Sequence, residues 1–494
     1  MTQRFIGAAV GLYLLVCCLP VCSQAKDPFT WNNLLQHCGS FDSQLAAKRR
    51  QHIAPGVSQG KQSVSNRKPR SGDSELTIAA CCRRFAADIP ELIESHFPGQ
   101  FGENCTQRFD ADEQTGPCDE LRLAVPQLPD KSHDYESVRL PAHLDQDELD
   151  SLDTTPKGNP ITNAGATLGR VLFYDRQLSR NDTTSCASCH QQKSGFSDAR
   201  RFSRGFAGGR TRRNSMGLAN LRYSNVNGLE PGFFWDERAK TLEQQVLMPI
   251  QNEVEMGMTL PDLEKKLAKL PYYPSLFKAA FGSGNVSSQR IARALAQFLR
   301  SMVSFDSKFD RSRARGKDED AKNSPKLTAI EQRGQSLFLD GVGGVNEFAC
   351  QMCHVAPTFN MDTSHNIGLD LQYRDKGLGL LKREPNNPFT PSNDGKFKAP
   401  SLRNIALSAP YMHDGRFKTL EEVVEHYSDG VHPHPNLTLA FATRPDNKKP
   451  TSGFGLTKQD KAALVAFLKT LTDERFVKDP RFSNPFVREK KEEL

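Results

Sequence analysis

The sequence predicts a mainly α-helical chain built from two similar halves with long loops. Three observations carry that expectation. Apolar residues recur at helical spacing in several segments, while the period-two pattern of strands is scarce. Thirty prolines and 35 glycines in 494 residues leave much of the remainder as ordered loops around whatever the helices hold. Each half also carries one copy of a five-residue motif near its start, Cys186-Ala187-Ser188-Cys189-His190 and Cys350-Gln351-Met352-Cys353-His354.

In chain order, Met1–Ala25 has a basic residue, an apolar run from Ile6 to Val21 and a small-residue end. That is the layout of a secretory signal cleaved after Ala25. The run is too short and interrupted to be a transmembrane helix, and no later segment is long and apolar enough. Residues 26–140 form a cysteine-bearing extension of unknown role. Within it, Lys48–Ser74 is a polar linker, and Ser74–His96 has apolar residues at helical spacing. The first motif-bearing domain spans 141–305 and closes on a helix at Ser288–Phe305, with Ile291, Ala294, Leu295, Phe298, Leu299 and Met302 on one face. A charged run, 306–324, leads to the second domain, 325–494. There a helix at Thr328–Leu339 precedes the motif. Thr419-Leu420-Glu421-Glu422 is a capping box opening a helix to about Tyr427. Lys458–Leu471 carries the stripe Leu464, Phe467 and Leu468.

Cys-x-x-Cys-His is the attachment pattern of c-type haem. The two thiols add to the porphyrin vinyls and the histidine supplies iron with a nitrogen. Cys186, Cys189 and His190 would hold one haem, and Cys350, Cys353 and His354 a second, giving two cytochrome c-like haem domains. The competing reading is one zinc site built from both pairs. A redox dithiol is weaker, since neither pair opens a helix in a βαβ context. A secretory signal with covalent haem points to the periplasm. Twelve cysteines, less Cys17, Cys18 and Cys22 of the signal and the four haem cysteines, leave Cys38, Cys81, Cys82, Cys105 and Cys118. In an oxidising compartment these should pair. Cys105–Cys118 is the expected bridge, one thiol is left over, and the remaining connectivity is open.

From Leu168 onward the chain resembles the bacterial di-haem cytochrome c peroxidase and MauG family. The matching stretches are Leu168–Asp175, Gly195-Phe196-Ser197-Asp198, Arg213-Asn214 through Asn220, and Phe234-Trp235-Asp236-Glu237-Arg238-Ala239. Leu242–Gln245 through Pro249, Glu253–Gly257, Pro400–Asn404 and Ala409–Arg416 follow. The likeness covers about two thirds of the chain and excludes 26–140. It implies that hydrogen peroxide reacts at the N-terminal haem, with Glu255 as the acid–base group and Gln245 beside it. The C-terminal haem would store oxidising equivalents, with Tyr427 as its second axial ligand and His426 as the rival. His413 would lie near that haem without binding iron. Trp235 would couple the haems. Calcium between them would be held by Asn220, Ser408 and Pro410, oxygen ligands that suit this ion.

The loop Ser197–Asn220 contains no histidine, whereas the peroxidases cap their resting peroxidatic iron with a loop histidine. The resemblance therefore leans to the MauG-like branch, which oxidises residues of a partner protein. The alternatives are a peroxidase drawing electrons from a small donor cytochrome or cupredoxin, and an electron-transfer cytochrome without catalysis. The net charge of +7 is weak evidence on partners. Arg210-Thr211-Arg212-Arg213 reads as a solvated loop or a haem-propionate contact, not a nucleic-acid site. His432-Pro433-His434 reads as an exposed turn. The oligomeric state has no signature.

Overall fold

The computed structural model describes residues 125–137, 140–141, 143–224, 232–313, 324–341, 349–361, 363–381, 391–442 and 453–486, all within the compact unit Cys118–Leu494. The signal segment, Ser74–His96 and Cys38, Cys81, Cys82, Cys105 and Cys118 lie outside the described residues.

The described chain is mainly α. Its longer helices are α1 (Asn163–Tyr174), α2 (Leu242–Gln251), α3 (Leu260–Ala268), α4 (Tyr273–Phe281), α5 (Ser288–Ser301), α6 (Ala329–Leu339), α7 (Leu420–Asp429) and α8 (Lys458–Lys469). Side-chain caps fix most starts: Thr162, Thr241, Thr259, Ser287, Thr328, Thr419 and Thr457 each accept a backbone N–H of the first turn. The box at Thr419 and Glu422 forms as expected. The helix expected to reach Phe305 ends at Ser301, where Met302 leaves helical geometry. The only ladder among the described residues is β1 (Ser364–His365) against β2 (Phe397–Lys398), antiparallel, with Ser364 opposite Lys398.

Two larger and two smaller apolar cores form among the described residues, and each larger one is built around one packed helix pair. In the first, α1 packs on α5; a Cβ added at Gly169 would sit 2.0 Å from the Ala294 carbonyl oxygen and 2.7 Å from Phe298 Cβ. In the second, α6 packs on α8; a Cβ at Gly334 would sit 1.9 Å from the Ala463 oxygen and 2.8 Å from Phe467 Cβ. Each crossing is close because glycine presents no side chain there. The tail beyond Asp473 returns to the first core, where Phe476 and Phe482 are buried. Arg170 donates to the Ser483 carbonyl (2.7 Å) and Tyr174 to that of Phe482 (2.6 Å).

Candidate haem centres

Each motif forms a single tight turn, Cys186–Cys189 and Cys350–Met352, that presents both sulfurs and brings the histidine out behind them. His190 Nδ1 lies 2.9 Å from the Phe196 carbonyl. His354 Nδ1 lies 3.2 Å from that of Phe359 and 3.1 Å from that of Pro400. A carbonyl only accepts, so Nδ1 carries the hydrogen and Nε2 keeps the lone pair that binds metal. Phe196 and Phe359 both adopt left-handed backbone (φ 60° and 55°), turning their carbonyls onto the rings. Burial lowers the pKa of His190 and takes that of His354 down to about 4, which keeps both imidazoles neutral.

Burial pushes the thiols up, Cys186 to about 12, Cys189 to about 11, and Cys350 and Cys353 to about 12. A reactive dithiol needs the opposite shift. Cys350 and Cys353 line a large apolar cavity that Cys186 and Cys189 do not, so the pairs do not assemble one zinc site. The donor sets fit two separate haems.

That cavity, called the second cavity because it belongs to the second motif, is lined by Cys350, Cys353 and His354, with Tyr427 from α7 and Leu464 and Leu468 from α8. Tyr427 is half-buried, and desolvation of its phenol together with the two nearby thiols raises its pKa well above 10. His426 is not among the lining residues; its Nε2 donates to the Ile367 carbonyl at 2.9 Å. Trp235, Ser408, Pro410 and His413 line the same cavity. Trp235 Nε1 donates to the Asn214 carbonyl (2.9 Å), while its neighbour Phe234 packs on the first core. His413 stacks on Phe397 with centroids 3.6 Å apart, and burial lowers its pKa to about 4.

On the first-haem side, α2 carries Gln245, half-buried, and Pro249 lies inside the same helix. The chain then turns at Asn252, whose side chain accepts the Glu255 N–H at 3.1 Å. The Glu255 carbonyl accepts from Phe206 N–H at 3.0 Å. Burial raises the Glu255 carboxyl above its ordinary range, and the Arg238 charge pulls it partly back. Its charge contributes to the raised pKa of both Cys186 and Cys189.

The calcium set does not come together as expected. Ser408 and Pro410 line the second cavity, but the Asn220 carboxamide is committed to Ser304. Its Nδ2 donates to the Ser304 carbonyl (3.0 Å) and its Oδ1 accepts the Ser304 N–H (2.8 Å). Asn214, six residues earlier, is the asparagine lining the cavity with them. Arg213 pairs with Asp236 (2.6 Å) and Asp375 (2.7 Å), an internal clamp. His434 Nδ1 is bonded to the Asn366 side chain and the Asn436 N–H. His365 lines the second cavity with Nε2 2.9 Å from Thr363 Oγ1. A lone histidine in a polar loop gave no signal for that placement.

Residues 163–319 match the family described as di-haem cytochrome c peroxidase. The methylamine utilization protein MauG of Methylorubrum extorquens is 36% identical over 320 residues, spanning 65% of this chain and 81% of that protein. The chain belongs to the di-haem cytochrome c peroxidase and MauG family. Cytochrome c551 peroxidase of Nitrosomonas europaea is 33% identical, spanning 65% of this chain and 83% of that protein. A solved MauG-like protein associated with microbial copper homeostasis superposes with a TM-score of 0.57 at 33% identity, over 70% of this chain and 99% of that one. As a member of the di-haem peroxidase family, the chain is an oxidoreductase with two c-type haems. No helix among the described residues is long and apolar enough to cross a membrane.

Proposed function

We propose that this chain is a MauG-like enzyme of the periplasm, reacting with hydrogen peroxide at the first haem and passing the oxidising equivalents to residues of a partner protein. When bound, the haem irons supply the redox chemistry, peroxide reduction at the first and storage of oxidising equivalents across both. The observation that carries the reading is the second cavity, where Tyr427 faces the Cys350, Cys353 and His354 cluster and His426 is tied to Ile367. Were Tyr427 and His354 both to hold the second haem, the phenolic oxygen would disfavour the reduced iron that a thioether would favour. A centre tuned in this way is a poor entry point for electrons from a small donor.

The protein residues divide the remaining work. The Glu255 carboxylate takes the proton from one peroxide oxygen and returns it to the departing one. Its raised pKa suits both halves of that exchange. Gln245 offers an amide to orient the peroxide. Trp235, which lines the second cavity and is fixed through Nε1, would relay charge between the haems. The peroxidase reading draws on a relative of similar identity, the Nitrosomonas cytochrome c551 peroxidase.

The deciding experiment is the spectrum of ferric protein before and after peroxide, in wild type and Tyr427→His. The MauG-like reading expects a long-lived oxidised state shared by both centres in wild type, and its loss in the variant with the second haem still low-spin. Unchanged behaviour of Tyr427→His, or rapid turnover of reduced cytochrome c without prior reduction of the enzyme, returns the function to a plain peroxidase.

A further inference from the structure

Asp175, at the end of α1, is 4% exposed and takes two phenols on one oxygen. Tyr273 donates to its Oδ2 at 2.7 Å and Tyr272 to the same atom at 2.9 Å. The two rings lie 4.7 Å apart, centroid to centroid. Tyr273 is fully buried in the first core, against which Cys186 also packs. Tyr272 is half-buried and reaches the rim, with its ring edge on Phe486, 6.4 Å away. None of these groups takes part in peroxide chemistry at Glu255.

We propose that Tyr273 and Tyr272, sharing Asp175 as proton acceptor, form a relay that carries oxidising equivalents from the first haem centre to the surface at Tyr272, where a one-electron donor of the phenol class is oxidised. The proposal rests on peroxide reacting at that centre. Tyr273 gives one electron to the oxidised centre, and its phenolic proton crosses to Asp175 Oδ2. Tyr272 then gives one electron to the Tyr273 radical. The first proton returns from Asp175 to Tyr273, and the proton of Tyr272 passes to Asp175. The net result is a centre reduced by one electron, a neutral radical on Tyr272 and one proton on Asp175. An external phenol donating a hydrogen atom restores Tyr272, and Asp175 releases its proton. An oxidised phenol is a strong acid and needs a base within hydrogen-bond reach; both rings have one. Burial also raises the Asp175 carboxyl above its ordinary range, which favours its holding a proton.

The test is peroxide addition to the holoprotein in the presence of the nitroso spin trap 2-methyl-2-nitrosopropane, followed by peptide mass spectrometry, with peroxide consumption followed in the same sample. The relay expects an adduct on Tyr272 in wild type, lost in Tyr272→Phe and lost in Tyr273→Phe although Tyr272 is then intact. Tyr272→Phe, at the rim, keeps fold and haem content and should leave peroxide consumption without donor unchanged. Consumption of peroxide with no adduct at Tyr272, or an adduct that survives Tyr273→Phe, overturns the relay. A sample that consumes no peroxide overturns the peroxidatic reading and the relay with it.

Discussion

Phe233–Gln251 and Tyr411–Asp429 are the same structure used twice. Each opens on a one-bridge turn, Phe233 against Ala239 and Tyr411 against Phe417. Phe234 and Met412 share a left-handed backbone (φ 71° and 73°). Thr241 and Thr419 cap α2 and α7 with identical backbone angles. Trp235 then corresponds to His413, Asp236 to Asp414, Arg238 to Arg416, and Gln245 to Val423. The position that offers Tyr427 to the second centre is occupied by Pro249 in the first. A phenol can ligate iron and a proline cannot. The repeated frame therefore differs at the few side chains to which the proposed function gives opposite roles. On the proposed function, one centre would be left open, with Gln245 and Glu255 beside it, and the other would take an oxygen donor from Tyr427.

The largest test of that contrast is Glu255→Gln. Both haems should remain attached, and reaction with peroxide should slow by about 10²–10⁴-fold, the range for acid–base assistance. Stopped-flow rates within threefold of wild type would remove Glu255 from the chemistry. The pH profile adds a sign. The protonated carboxyl cannot accept the peroxide proton, so the rate falls as pH drops through the Glu255 pKa. Burial holds that pKa above the ordinary glutamate range, so the acid limb should lie at higher pH than for a free glutamate and vanish in the glutamine variant.

Pro249→His tests the frame itself. Wild-type ferric protein should give one high-spin and one low-spin signal by electron paramagnetic resonance, because the loop Ser197–Asn220 supplies no histidine to the first centre. A donor at the position matching Tyr427 should convert the high-spin signal to low-spin and block peroxide. Pro249 lies in the last turn of α2, so its replacement restores an ordinary helix end. A high-spin signal that persists in the variant would show that α2 does not stand to the first centre as α7 stands to the second.

The sequence announced what is local. The motifs, the capping box at Thr419, and the helix stripes on α5 and α8 all lie within a few residues of the signals that announce them. Long-range contacts left no such trace. The tail carries no helical or strand pattern between Phe476 and Phe482, yet both phenylalanines bury in the first core. Asn220 reads as an oxygen donor, but its carboxamide bonds the Ser304 backbone on both sides, because α5 stops at Ser301 and leaves that backbone without a helical partner. His426 and Tyr427 are adjacent in sequence, and the helical rotation between them puts only Tyr427 in the cavity.

The smallest expected effect tests whether the two cores are as alike as the two turns. Gly169→Ala and Gly334→Ala each drive a methyl into a backbone carbonyl, 2.0 Å and 1.9 Å away, and backbone cannot swing aside as a side chain can. Overpacking of this kind costs about 1–3 kcal/mol, against which the better helix propensity of alanine returns about 1 kcal/mol. The expected net loss is about 0–2 kcal/mol in each case, and each kcal/mol corresponds to about 2–4 °C in Tm for a domain of 150–250 residues. Gly165→Ala is the control. Its added Cβ meets the Gln297 side chain at 2.0 Å, and Gln297 is itself bonded to Thr162 and Asn159; in a Gln297→Ala background, where both that side chain and its bonds are already gone, Gly165→Ala should cost less than it does in wild type. Neither carbonyl clash has such a rescue. Equal losses at Gly169 and Gly334, measured by thermal unfolding of the holoprotein, would make the joint a shared feature of both halves; a loss at one with none at the other would confine the likeness to the turns and caps.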